Sequence, residues 1–363
     1  MATFEILVLP GDGIGPEVTA EGIRTLAAIG ERFEHVFRMT EDLVGGACID
    51  AHGVAIREET IEAAHAADAV LFGAVGGPKW DDPQATTRPE DGILAIRKNL
   101  GLFANLRPVK IYPQLINSSP VKPEILQNVD MLIIRELTGG LYFAEPKKRW
   151  EEDSERKAVD TLLYSEHEIE RVVKVAFELA KSRKQHVTSV DKANVLESSR
   201  LWREVTIEVS KQYPEIELDH LLVDNASMQI IREPSRFDVI VAENTFGDIL
   251  TDEASILSGS MGMLPSASLA GTPGSSKTNV NLFEPIHGSA PDIAGQGIAN
   301  PLGTILSMAL MLRYSLNLHE EANAVERAVE GVLSEGFRTT DIASDGGEII
   351  ATERMGDLIA GNV

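Results

Sequence analysis

The chain has 363 residues, 43% of them hydrophobic, a single cysteine and a formal net charge of -23. That length buries a large core and suits two domains. One cysteine excludes an internal disulfide and any multi-thiolate metal site and fits a reducing compartment, while the acidity argues against nucleic acid, whose phosphates it would repel.

The chain opens on MATFEILVLPGDG, which has neither a basic n-region nor a small-residue cleavage site, and no apolar run is long enough to cross a bilayer. A soluble, cytoplasmic protein with no membrane partner is expected. The apolar run FEILVLP then enters GDGIGPEV, a glycine-rich turn before a helical pattern. A dinucleotide fingerprint needs glycines at positions one, three and six. Here they fall at Gly11, Gly13 and Gly15, Asp12 sets a carboxylate where a pyrophosphate would sit, and Pro16 starts the helix. A phosphate site, if the chain has one, is expected elsewhere.

Apolar strand-like runs (DAVLFGAVGG, DMLIIREL, FDVIVAEN) alternate with helical patterns (EVTAEGIRTLAAI, SEHEIERVVKVAFELAKSR), and no internal repeat interrupts them. The alternation predicts an α/β architecture with a substantial parallel component. Arg97, Arg107 and Arg135 stand among apolar residues rather than in charge runs, so each needs an anion: a bound carboxylate, or a structural partner among the abundant Asp and Glu. Tyr142 follows a double-glycine turn. The stretch 143–160 is dense in both charge signs and reads as a solvated loop or as an arm toward a second subunit.

Lys192 follows a strand among small apolar residues, where desolvation would lower its pKa toward that of a general base; packing with a satisfied ammonium is the other reading. Asp224 closes an apolar run. In ENTFGDILTDEAS, Asp248 and Asp252 lie four apart at a helix start and share one face, as Mg²⁺ or Mn²⁺ ligands or as helix-capping acids. The Gly- and Pro-punctuated stretches 265–276 and 283–304 read as long surface loops, and LGTILSMALMLRYSL after them as a buried helix.

LPGDGIGPEV, ENTFGDILTDEAS and HGSAPDIAGQGIANP, in this order, resemble the isocitrate and 3-isopropylmalate dehydrogenase family of β-decarboxylating hydroxyacid dehydrogenases, and the resemblance covers essentially the whole chain. It implies an α/β fold of that family's type: two open α/β domains with a cleft and a non-Rossmann cofactor site. A cofactor domain would comprise 1–102 plus 258–363, and a substrate and dimerisation domain 103–257, with an interlocking arm near 143–166.

The same resemblance implies that Arg97, Arg107 and Arg135 bind the malate carboxylates. Asp248 and Asp252, with Asp224 from a second subunit, would hold Mg²⁺ or Mn²⁺ against the substrate. Lys192, also lent across a homodimer, would help remove the C2 hydroxyl proton as hydride passes to NAD, and Tyr142 would return a proton after CO₂ leaves. NAD would lie on a loop carrying His287, Gly288, Ser289, Ala290 and Asn300, with the GDGIG turn as scaffold. Asp292 and Ile293 stand where NADP-dependent relatives carry a Lys-Tyr pair, so NAD is the implied cofactor.

Substrate choice is assigned to Glu90, Ile93 and Leu94, where isocitrate-type members place Ser and Asn. Ile93 and Leu94 would wall an isopropyl group, with core packing as the alternative, for Leu94 above all. The implied reaction is the NAD-dependent oxidative decarboxylation of (2R,3S)-3-isopropylmalate in leucine biosynthesis. A D-malate or tartrate dehydrogenase, or a noncatalytic regulatory subunit, would share much of the same residue set; a phosphotransferase is disfavoured by the lack of a Walker-type loop.

Overall fold

The computed structural model describes residues 2–82, 85–273, 279–343 and 347–363, so the end of the 265–276 stretch lies outside the described residues. In chain order the first elements are β1 (Thr3–Gly11), α1 (Gly15–Phe33), β2 (Val36–Glu41), α2 (Gly46–His52), α3 (Glu58–Ala66), β3 (Ala69–Ala74) and α4 (Glu90–Asn99). Then come β4 (Ala104–Lys110), β5 (Asp130–Glu136), a hairpin of β6 (Lys148–Glu152) and β7 (Glu155–Val159), α5 (Glu166–Ala180), β8 (His186–Asp191), α6 (Glu197–Ser210), β9 (Glu217–Leu222), α7 (Val223–Arg232), β10 (Val239–Ala242) and α8 (Asn244–Ser255). The chain ends with β11 (Pro265–Leu269), β12 (Asn281–Pro285), α9 (Leu302–Tyr314), α10 (His319–Ser334) and α11 (Thr352–Asn362).

Two compact units emerge: one from residues 1–102, 110–124 and 255–363, the other from 103–109 and 125–254. The strands of the first unit run in the order β2-β1-β3-β12-β11. β1 pairs parallel with β2 and β3, and β3 with β12, while β11 is antiparallel to β12. β3 is buried at every position, as expected of a parallel strand covered on both faces. Along α4, Ile93, Ile96 and Leu100 recur at helical spacing and join Leu7, Leu9, Val70 and Phe72 in one buried cluster. α9 is buried on nearly its whole circumference, as its unbroken apolar sequence predicts.

The stretches read from sequence as surface loops need correcting at their ends. Residues 265–269 form β11, every residue of it buried, and 281–285 form β12. Small side chains carry no apolar periodicity, yet they let α9 pack closely: Ser266 N–H donates to Ser307 Oγ, itself buried, at 3.3 Å.

In the second unit the strand order is β4-β5-β10-β8-β9, and β10 lies parallel between β5 and β8. α5 begins at a capping box, with the Ser165 hydroxyl and the Glu168 side chain closing the first turn on each other. Its apolar face of Ile169, Val172, Val173 and Ala176 is fully buried. The charged stretch after Tyr142 is a hairpin rather than an irregular loop. Its two turn residues, Asp153 (φ 54°) and Ser154 (φ 61°), are both left-handed, and Glu151 faces Arg156 across the strands. No helix among the described residues is long and apolar enough to cross a membrane.

Candidate active site

In the second unit, β5 and β10 pair with Arg135 level with Ala242, so their C-terminal ends project side by side. That is where open parallel sheets place ligands. β10 passes through Glu243 into α8, and Asn244 at the start of the helix faces Arg135. Asn244 Oδ1 accepts from Arg135 Nε at 3.0 Å and from Nη2 at 2.8 Å, while Arg135 Nη1 donates to Asp248 Oδ1 one turn further along α8. Gly247 has to be glycine here, because a Cβ on it would lie 2.8 Å from Arg135 Cβ.

Asp248 Oδ2 accepts from the Tyr142 hydroxyl at 3.2 Å, and the Arg135 guanidinium lies 5.9 Å from the centre of the Tyr142 ring. Burial, then the Asp248 charge, raises the Tyr142 pKa above its ordinary value, so the phenol holds its proton. On β4, Arg107 donates to Asn105 Oδ1 (2.9 Å), to Thr251 Oγ1 (2.9 Å) and to Asp252 Oδ1 (3.3 Å). Both arginine side chains are largely buried, 11% exposed for Arg135 and 16% for Arg107, whereas Asp252 is 74% exposed. Two largely buried guanidiniums have the chemistry to pair with an acidic ligand, and the exposed Asp252 carboxylate offers hard oxygen atoms.

Lys192 and Asp224 form a separate pair, Nζ to Oδ1 2.5 Å, at the exits of β8 and β9. The Lys192 hydrogen bond holds the Asp224 carboxyl below the usual range. An ion pair, rather than the apolar setting read from sequence, surrounds this lysine. The three aspartates do not converge within one chain: among the described residues no group of three His, Cys, Asp or Glu side chains is placed to hold a metal ion.

Beneath Asn244 lies a buried acid cluster that sequence reasoning did not identify. The Tyr164 hydroxyl is 3.3 Å from Glu136 Oε2 and 3.2 Å from Glu243 Oε2, and it accepts from Asn244 N–H at 2.9 Å. Glu243 also accepts from the N–H groups of Thr245 (3.1 Å) and Phe246 (2.9 Å), capping α8, and burial raises its pKa. Glu136 accepts from Thr138 and Gly139 N–H, which shapes the turn that presents Tyr142. The signal available in the sequence was an acid closing each of two apolar runs.

In the first unit, Arg97 in the last turn of α4 donates to Glu284 Oε1 on β12 at 2.7 Å. Ile93 is only 8% exposed and belongs to the core cluster; Leu94, one position round the helix, is 44% exposed. This reverses the expected division, because the core face of α4 runs through 93, 96 and 100 and leaves Leu94 and Glu90 outward. Of the two, only Leu94 presents its apolar side chain outward.

The loop 287–300 also lies in this unit. His287 Nδ1 is 2.9 Å from the Gly288 carbonyl oxygen, so that nitrogen carries the ring proton, and Nε2 is a buried acceptor without a partner. Burial lowers the His287 pKa, which keeps the ring neutral. Gly288 and Asp292 are exposed, Ser289 is buried, and Ala290 takes a left-handed φ of 39°. Ile293 packs with Ala290 and Ala294 against Ile14, Val18 and Ala299. Asn300 is buried and donates to Asp341 Oδ2 at 3.0 Å.

The family model described as isocitrate/isopropylmalate dehydrogenase matches residues 5–359, and the chain belongs to that family; it is an oxidoreductase. It is 58% identical over 358 residues to a 3-isopropylmalate dehydrogenase of Dehalococcoides mccartyi, with 98% of each chain covered. A 3-isopropylmalate dehydrogenase of Anaeromyxobacter dehalogenans is 59% identical, again over 98% of each. Among solved structures, the isocitrate dehydrogenase of Methylococcus capsulatus superposes with a TM-score of 0.83 at 32% identity, covering 99% of both chains.

Proposed function

We propose that this protein carries out the oxidative decarboxylation of (2R,3S)-3-isopropylmalate to 4-methyl-2-oxopentanoate and CO₂, the oxidative step of leucine biosynthesis, as a cytoplasmic homodimer. The observation that carries the substrate is the 58% and 59% identity, over 98% of each chain, to relatives named for it. The paired arginines beside Asp248 and Tyr142 support the chemistry independently.

NAD and a Mg²⁺ or Mn²⁺ ion belong to the proposal. The unpartnered Nε2 of His287 suits a hydroxyl or amide donor of a dinucleotide, and the exposed Asp292 carboxylate accepts from ribose hydroxyls while repelling a 2′-phosphate. His287, Gly288, Ser289, Ala290, Asp292, Ile293 and Asn300 would form this site. Asp248 and Asp252 offer hard oxygens on one helix face, to be completed by Asp224 of the partner subunit. When bound, NAD accepts the C2 hydride and the cation polarises the C2 oxygen.

The chain's own residues do the rest. Arg97, Arg107 and Arg135 neutralise and orient the two substrate carboxylates. Lys192, lent with Asp224 by the neighbouring protomer, takes part in removing the C2 hydroxyl proton. Once the carboxylate on C3 has left as CO₂, the Tyr142 phenol, kept protonated by burial and Asp248, delivers a proton to C3. Leu94 and Glu90 border the C3 substituent.

The test is reduction of NAD and of NADP by the purified protein with Mg²⁺, offering 3-isopropylmalate, isocitrate, D-malate and tartrate in parallel. Highest kcat/KM for 3-isopropylmalate with NAD is expected. A preference for D-malate or tartrate would overturn the substrate, and a preference for NADP would overturn the role of Asp292.

A further inference from the structure

The turn GDGIGPEV is bonded throughout to elements distant in sequence. Asp12, 5% exposed, accepts from the N–H groups of Gly46 (2.7 Å), Ala47 (2.7 Å) and Gly76 (2.9 Å), which joins the start of α2 to the turn after β3. The Ile14 N–H donates to the Ser289 carbonyl oxygen at 2.8 Å, and a Cβ on Gly13 would sit 2.0 Å from that same oxygen. In the first turn of α1, both oxygens of the Glu17 carboxylate are used: Oε1 accepts from Gly295 N–H, and Oε2 from Gly297 N–H at 3.2 Å. Both glycines are left-handed, with φ of 75° and 64°, so the loop doubles back to present its amides to one carboxylate.

An acid in a first helical turn ordinarily faces solvent and compensates the helix dipole. Glu17 instead clamps the far side of the loop that carries His287, Ala290 and Asp292. From α11, Thr352 fixes the end of the same loop, with its N–H on the Gly297 carbonyl oxygen (2.9 Å) and its hydroxyl on that of Ala299 (2.6 Å). Residues 290–293 lie between the Ile14 anchor and the Glu17 clamp.

We propose that Glu17 is a positioning residue for dinucleotide binding, holding the 288–300 loop in its binding shape through the amides of Gly295 and Gly297. The assignment rests on the proposed NAD site but makes a claim of its own. Two charge-assisted hydrogen bonds hold the segment closed before any ligand arrives, so the ligand does not have to order the loop.

The experiment compares wild type with Glu17→Gln, which keeps one acceptor, and Glu17→Ala, which keeps none. Amide hydrogen exchange is read in the protein without nucleotide, and ADP-ribose affinity and steady-state kinetics are read alongside. Faster exchange confined to 294–298 is expected, graded from Gln to Ala, with the NAD KM and the ADP-ribose Kd raised about tenfold in Glu17→Ala and kcat at saturating NAD within about twofold of wild type. Unchanged exchange overturns the clamp. Faster exchange with unchanged KM and Kd overturns its link to the nucleotide, as does a fall in kcat alone. If wild type itself does not bind ADP-ribose, the NAD reading of the loop fails and takes this assignment with it. Should Glu17→Ala not fold, the Gln variant supplies the same comparisons.

Discussion

Asn244 holds Arg135 with a single oxygen: Oδ1 accepts from both Nε and Nη2 of the guanidinium, at 3.0 and 2.8 Å. This fixes the plane of the guanidinium and leaves Nη1 to Asp248. Replacing Asn244 with Ala frees the side chain to rotate, and the substrate KM is expected to rise about tenfold or more, with a smaller effect on kcat. Steady-state kinetics on 3-isopropylmalate check this; an unchanged KM would show that Arg135 does not need the anchor.

Tyr142 is proposed to be the proton donor after decarboxylation. Tyr142→Phe keeps the ring against Arg135 and removes the proton, so turnover is expected to drop on the order of 10²-fold. Because burial and Asp248 raise the phenol pKa above 10.0, loss of the donor's proton should not limit kcat below that pH in wild type. A kcat profile with an alkaline limb near pH 8 would assign the proton to another group.

The proposed sharing of the site across a dimer has a direct consequence for mixed variants. Lys192→Ala and Asp248→Ala should each be inactive. If Lys192 serves the neighbouring protomer, remixing the two from the dissociated state restores one complete site in each heterodimer, about a quarter of wild-type activity for a statistical mixture. No recovery after remixing, with heterodimers shown to form, would mean that both residues act in the same chain.

A pH dependence of stability arises away from the site, where α1 packs on α11. Glu21 is 4% exposed, and burial pushes its pKa up to about 7 although Arg24 Nε lies 3.1 Å away. Arg24 is shared with Glu353 and Asp357, whose charges add to the rise. With the folded value above the ordinary 4.5, the folded state binds the proton more tightly, so stability falls as pH climbs from about 4.5 to about 7, by up to ~3 kcal/mol. Glu21→Gln should flatten that slope in chemical denaturation between pH 5 and 8; parallel curves for the two proteins would contradict it.

What the sequence disclosed and what it hid divide along physical lines. The strands β3, β5 and β10 were legible because burial on both faces writes an unbroken apolar run, and α5 because its capping box and period agree. β11 was not, since small Ser and Ala residues form a buried strand without an apolar signal. That Asp248 and Asp252 share one face of α8 was readable from their spacing of four. Other contacts were hidden by chain separation: Glu284 meets Arg97 from 187 positions away, and Tyr164 meets Glu243 from 79. Period alone did not separate Ile93 from Leu94, because a one-residue rotation decides which of two adjacent apolar residues enters the core.

The central claim is that oxidation at C2 and loss of the carboxylate on C3 are coupled on one substrate. The most direct measurement follows NADH and CO₂ together, with 3-isopropylmalate labelled with ¹³C in either carboxyl group. CO₂ is expected in step with NADH, with label released only from the carboxyl group on C3. NADH formed without CO₂, or label lost from the carboxyl group on C2, would contradict it.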